Sequence, residues 1–188
     1  CMDRVNADRI PEPAPAEWLE DPLAPKCFEG SQASKNPLFG NWRARRHYYF
    51  ADICHLDDQL GRIVDALEKS GRLQNTYILV TADHGELLLD HDLGGKEYRH
   101  YDACIRIPFM LTGPNCQRGL VCQDLVQLED VFPTILDITG LEAPRAPRMG
   151  PHLRKDPQYL PGRSVLSAAR GEHSKDWRRS VLIESYNS

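Results

Sequence analysis

The run Asp83-His84-Gly85-Glu86-Leu87-Leu88-Leu89-Asp90-His91-Asp92-Leu93-Gly94-Gly95-Lys96 gathers the side chains best suited to chemistry. Asp83 and His84 set a carboxylate beside an imidazole, a pair that can ligate one cation, and Gly85 lets the backbone turn without a Cβ penalty. Asp90 and His91 follow, and Lys96 closes the run in a Gly-rich stretch. Taken alone, Asp83-His84-Gly85 reads as a polar turn after a strand, and a single lysine in such a loop is usually a solvated charge. Their weight depends on the elements that hold them.

Tyr49, Ile53, Leu56, Leu60, Ile63 and Leu67 recur at alternating steps of four and three, which is one face of a helix. Gly71 supplies the residue after its end, with Lys69 and Arg72 placed near the C-terminal dipole. Thr76-Tyr77-Ile78-Leu79-Val80-Thr81-Ala82 is short, β-branched and apolar on both faces, as a strand buried in a parallel sheet should be. In open α/β sheets ligands bind outside the carboxyl ends of strands, so Asp83 and His84 stand where a site would lie. A second strand is expected at Ile107 to Leu111, then a helix at Asp130 to Thr139 with Pro133 in its first turn and Gly140 after its end. A further strand is expected at Ser180 to Tyr186. The chain thus reads as α/β in three stretches: a proline-rich irregular lead-in over 1–41, an α/β body over 42–140, and a long loop rich in Pro, Arg and Gly with the start of a C-terminal subdomain over 141–188.

Composition removes other classes. The formal charge is −4 with both signs spread along 188 residues, so no basic stripe marks a nucleic-acid surface. No apolar run approaches the roughly 20 residues of a membrane-spanning helix. The six cysteines form no C-x-x-C pair, which argues against a structural zinc site. Cys116 and Cys122 flank a stretch that could fold back to join them, and free thiols are the alternative.

Read together, the segments resemble the sulfatase family, of the alkaline phosphatase-like superfamily, by order and spacing. The matching stretches are Tyr48-Tyr49-Phe50-Ala51, Leu56-Asp57-Asp58-Gln59-Leu60-Gly61-Arg62-Ile63, Asn75-Thr76 and Thr81-Ala82-Asp83-His84-Gly85-Glu86. They continue with Asp90-His91, Lys96, Ile105-Arg106-Ile107-Pro108, Pro133-Thr134-Ile135-Leu136-Asp137 and Gly162-Arg163-Ser164. The resemblance covers about Trp42 to Tyr186 and implies the C-terminal part of a catalytic domain built on a mostly parallel sheet flanked by helices. It makes Asp83 and His84 ligands of a divalent cation, with Ca²⁺ favoured by the family and Mn²⁺ or another metal left open by the imidazole. It makes Lys96 the catalytic lysine that contacts the sulfate group and offsets charge on the leaving oxygen. His91 becomes a substrate-side or, by preference, loop-fixing residue. Leu89 stands where the family often has glycine and is expected to alter the loop's path.

The family's nucleophile is a formylglycine made from Cys or Ser in a C/S-x-P/A-x-R signature, and no Cys or Ser of this sequence begins that pattern. The early aspartates that complete the metal site are also missing. A sulfate ester is the implied substrate, with the expectation that the native polypeptide continues and that this chain alone is catalytically incomplete. The rivals are a phosphonate or phosphate ester hydrolase of the same superfamily, and a non-catalytic domain that binds a metal or a partner.

Overall fold

The computed structural model describes residues 1–24, 28, 32–37, 39–96, 99–143, 161–172 and 174–184. The chain divides into two compact units, one of Cys1–Gly71, His84–Ile107 and Ile183–Ser188, the other of Arg72–Asp83 and Pro108–Leu182. Helices and a small sheet give the α/β class expected from the sequence.

In the first unit, helix α1 (Trp42–Lys69) begins where the apolar periodicity begins. Asn41 caps it, its side-chain oxygen accepting from the backbone N–H groups of Arg43 at 2.8 Å and Ala44 at 3.4 Å. These donors have no carbonyl one turn earlier, so the cap replaces the missing partner. After Lys69 the chain leaves the helix through Ser70 and Gly71, the latter at φ 68° in the left-handed region that ends many helices. The described lead-in is irregular, with short 3-10 turns at Met2–Arg4, Ala7–Arg9 and Glu17–Leu19. It lies along the first half of α1, where His47 Nε2 donates to the carbonyls of Met2 and Val5 at 3.2 and 3.0 Å. The face it covers carries Arg46 and Ala51, each 6% exposed, whereas Ile53 and Leu56 of the apolar stripe are 46% and 66% exposed. Periodicity identifies the helix and its apolar face, but polar contacts decide which face this chain's own residues cover. A second cluster, Phe28, Leu87, Leu93 and Cys104, packs with Trp18, Tyr101, Ala103 and Ile105, the last three on or beside α2 (Asp102–Ile105).

In the second unit, β1 (Ile78–Thr81) and β2 (Phe109–Thr112) pair in register Ile78 to Thr112, Leu79 to Leu111, Val80 to Met110 and Thr81 to Phe109. The pairing is antiparallel, the one strand pair of the expected mostly parallel sheet that the described residues contain. Apolarity on both faces reports that both faces are covered and carries no information on the direction of the neighbouring strand. β2 starts at Phe109 rather than Ile107, because Pro108 has no N–H to give to a ladder. Ser180 to Glu184 form no strand, and the remainder of that expected strand lies outside the described residues.

Helix α3 (Val131–Thr139) has Pro133 in its first turn and Gly140 after its end, as the sequence predicts. Its entrance is organised by Asp130, which has no exposed surface. The Asp130 carboxylate forms a two-pronged ion pair with Arg178, one prong at 2.5 Å, and accepts the backbone N–H groups of Gln127 at 2.9 Å and Arg163 at 2.8 Å. One turn on, Thr134 Oγ1 donates to the Asp130 carbonyl at 2.6 Å and accepts Val165 N–H at 3.0 Å. Ser164 Oγ donates to Asp137 at 2.6 Å, and α4 (Leu166–Ala169) follows. The Pro133–Asp137 and Gly162–Ser164 stretches, distant in sequence, are thus one structural clasp.

Burial pushes the Asp130 carboxyl up, but the hydrogen bonds from Arg178, Arg163 and Gln127 outweigh it and hold the group below the usual carboxylate range. Its native pKa lies below the unfolded one, so it contributes stability that is present above the unfolded value and lost as pH falls through the folded one. Arg178→Ala should cost about 3–5 kcal/mol by leaving the carboxylate buried and unpaired. Urea unfolding at neutral pH checks this, and the gap between the two proteins should narrow as Asp130 protonates at acid pH.

Candidate functional site

β1 ends at Thr81, and Asp83 follows at a bend with its residue exposed. Asp83 belongs to the unit that contains the sheet, whereas His84 begins the segment that belongs to the other. Beyond it the chain forms a closed loop. Gly85 N–H donates to the Cys104 carbonyl at 2.7 Å, and Leu87 N–H donates to the Gly95 carbonyl at 3.2 Å, which draws the two ends of the loop together. Leu87 and Leu93 have no exposed surface and anchor the loop's interior side in the cluster around Phe28. Gly85 fits because a Cβ there would come 1.9 Å from the Ala103 carbonyl oxygen.

Between these anchors Leu88, Leu89, His91 and Asp92 all take positive φ, at 49°, 72°, 59° and 56°. Each non-glycine residue in this region costs about 1–2 kcal/mol, so the loop persists only because its surroundings over-determine it. Leu89 adopts backbone that a glycine would favour and buries its side chain to 8% exposure. The restraints come from polar groups. Arg46 of α1 reaches the Asp90 carboxylate at 2.5 Å and the Leu88 carbonyl at 3.0 Å, while Asp90 also accepts Ala14 N–H at 2.6 Å. Asp92 accepts both the N–H and the hydroxyl of Ser34 at 2.7 Å.

His91 is built into this fabric. Its N–H donates to the Ala14 carbonyl at 2.8 Å, its Nδ1 donates to the Pro15 carbonyl at 3.1 Å, and its carbonyl accepts Trp18 Nε1–H at 2.6 Å. The ring stacks on Tyr101 with centroids 4.1 Å apart. These contacts occupy the ring in holding the loop. Lys96 stands exposed directly after Gly95, where the loop closes.

His84 Nδ1 lies 2.8 Å from the Gly85 carbonyl, which can only accept. In the neutral ring this contact puts the proton on Nδ1. No group of three or more His, Cys, Asp and Glu side chains able to hold a metal ion is assembled among the described residues. Cys116 and Cys122 are free thiols, and burial pushes both above the usual range. Cys104 is likewise raised by burial and by the nearby Glu86 carboxylate.

Sequence reasoning did not single out Arg46. Its signal was present: it lies three residues before Tyr49 and seven before Ile53, a charge at the head of an otherwise apolar stripe. Trp18, Tyr101 and Arg178 carried no such signal, because they act across long sequence distances.

Comparison with solved structures gives the chain an alkaline phosphatase-like α/β fold. The phosphonate monoester hydrolase SpPMH from Silicibacter pomeroyi superposes with a TM-score of 0.75 at 28% identity, over 93% of this chain and 34% of that one. BT4656, solved in complex with its substrate D-glucosamine-2-N,6-O-disulfate, superposes with a TM-score of 0.64 at 27% identity, over 86% of this chain and 31% of that one. The sulfatase family model matches residues 16–141, and the chain belongs to the sulfatase family. Arylsulfatase K of Bos taurus is 38% identical over 100 residues, 53% of this chain and 18% of that protein. The multifunctional alkaline phosphatase superfamily protein PehA of Trinickia caryophylli is 31% identical over 185 residues, 97% of this chain and 33% of that protein. The chain thus spans a third or less of these curated relatives.

The closeness of Gly85 to Ala103 generates a paired expectation. Gly85→Ala should destabilise the protein by about 1–3 kcal/mol or more through overpacking against backbone. Gly61→Ala, mid-helix with nothing within 4 Å of the added Cβ, should stabilise it by about 0.5–1 kcal/mol. Denaturant midpoints of the two variants check both signs.

Proposed function

We propose that this chain works as part of a sulfuric ester hydrolase, in which Asp83 and His84 ligate a divalent cation and Lys96 contacts the sulfate group. The observation that carries the reading is the construction of residues 84–96: a strained loop, pinned by buried charge and closed at its neck, that bears an imidazole before the neck and an ammonium directly after it. Strain of this kind, held by surrounding structure, is characteristic of functional loops.

Ca²⁺ is the favoured ion and Mn²⁺ the softer alternative. Calcium takes about six to eight oxygen ligands, so in this reading further ligands and the formylglycine nucleophile come from outside these 188 residues. When bound, the metal would polarise the nucleophile and the ester oxygens. Asp83 would neutralise part of the cation's charge, His84 would donate Nε2 with its ring fixed by Gly85, and Lys96 would offset charge developing on the leaving oxygen.

A second reading, hydrolysis of phosphonate or phosphate esters, is supported by one observation: the phosphonate monoester hydrolase SpPMH superposes with a TM-score of 0.75, against 0.64 for BT4656. Sulfate and phosphonate monoesters present similar tetrahedral anions, and the same three side chains suit either.

Turnover of aryl sulfate, phosphate and phosphonate esters by the full-length polypeptide separates the readings, with aryl sulfate expected to be preferred. Asp83→Ala should abolish most activity, with partial rescue by excess metal. Lys96→Ala should lower kcat about 10²-fold with no rescue, on the scale of a lost electrostatic stabiliser. Full activity of Lys96→Ala would remove its assigned role, and absence of turnover on all three esters would favour the non-catalytic alternative.

A further inference from the structure

We propose that Arg46 is a positioning residue for Lys96, its guanidinium fixing the path of the 84–96 loop and hence where the ammonium stands; the inference rests on the ester-hydrolase reading above. Arg46 is a charged residue on α1 with only 7% of its side chain exposed, and an ion pair alone would not require its geometry. Its Nε donates to the Leu88 carbonyl at 3.0 Å, one terminal nitrogen to Asp90 at 2.5 Å, and the other to the carbonyls of Pro11 at 3.1 Å and Glu12 at 3.4 Å. The acceptors at Leu88 and Asp90 flank Leu89, so the rigid planar fork spans one of the left-handed residues and templates the turn there. A lysine keeps the charge but cannot address three directions from one plane.

The same fork ties the loop to residues 11–15, since Ala14 N–H donates to Asp90 and the Ala14 and Pro15 carbonyls accept from His91. At the other end the Leu87 to Gly95 hydrogen bond closes the neck, and Lys96 is the next residue. Leu87 and Leu93, fully buried, join tip to neck as close-packed structure that moves as a piece. Displacement of the tip therefore reaches Lys96 with few intervening rotatable bonds.

The test uses the full-length polypeptide and an aryl sulfate, with Arg46→Lys and Asp90→Asn as variants. Positioning predicts that each lowers kcat about 10–100-fold while KM stays within about threefold, as expected when a charge is misplaced by about an ångström. It also predicts that Lys96→Ala costs much less in the Arg46→Lys background than alone, because the two act through one group. Unchanged kcat with a lowered melting temperature, full multiplicative loss in the double variant, or failure of both single variants to fold would overturn the proposal in favour of a purely structural role. If the unsubstituted polypeptide hydrolyses no aryl sulfate, phosphate or phosphonate ester, the ester-hydrolase reading fails by itself. Amide hydrogen exchange of residues 88–93 then decides the clamp: exchange about tenfold faster in Arg46→Lys supports it, and unchanged exchange overturns it.

Discussion

A guanidinium taken out of water must have its donors met by carboxylate and carbonyl oxygens, or it costs several kcal/mol that a small unit cannot absorb. Each unit of this chain is arranged around one such group. Arg46 and Asp90 draw residues 11–15 and 88–92 onto the second turn of α1. Arg178 and Asp130 draw residues 127 and 163 onto the entrance of α3. In both cases the carboxylate also accepts backbone N–H groups, so the ion pair fixes chain path as well as neutralising charge. Apolar burial is modest by comparison, with Leu87 and Leu93 the only fully buried large aliphatic side chains among the described residues.

That economy bears on the candidate site. The 84–96 loop has no regular secondary structure beyond a short turn at Asp90–Asp92, yet it holds four non-glycine residues in left-handed backbone. A loop stabilised by its own packing would relax such strain. Here the restraints are external: α1 through Arg46, the lead-in through Ala14 and Pro15, and Ser34 through Asp92. The described residues of the proline-rich lead-in make no long helix, and Ala14, Pro15 and Trp18 among them hydrogen-bond the loop. Asp83 follows the end of β1, where a ligand site is expected in an α/β fold.

Much of this was legible from residue types. The helical stripe from Tyr49 to Leu67, the cap region at Gly71, the strand at Ile78 to Thr81 and the helix opened by Pro133 all follow from local rules, because periodicity, capping and proline chemistry act within a few residues. What escaped is non-local. Strand direction depends on a partner, so the antiparallel pairing of β1 with β2 is not written in β1's composition. Arg46 reads as one of several arginines opening a helix until Asp90 is seen beneath it. Likewise the Gly162-Arg163-Ser164 stretch matched a family pattern before its physical task was visible, which is to clasp α3 through Arg163, Ser164 and Val165. The candidate residues Asp83, His84 and Lys96 could be proposed from sequence because they lie in one linear stretch, whereas the residues that hold that stretch are scattered along the chain.

The most direct measurement is a crystal structure of the full-length polypeptide with inorganic sulfate and the divalent cation bound. Lys96 Nζ is expected within about 3 Å of a sulfate oxygen, with Asp83 and His84 Nε2 on the cation at roughly 2.3–2.6 Å. A sulfate bound beside the cation with Lys96 turned to solvent, or a cation held by residues other than Asp83 and His84, would contradict the assignment of this loop to the catalytic site.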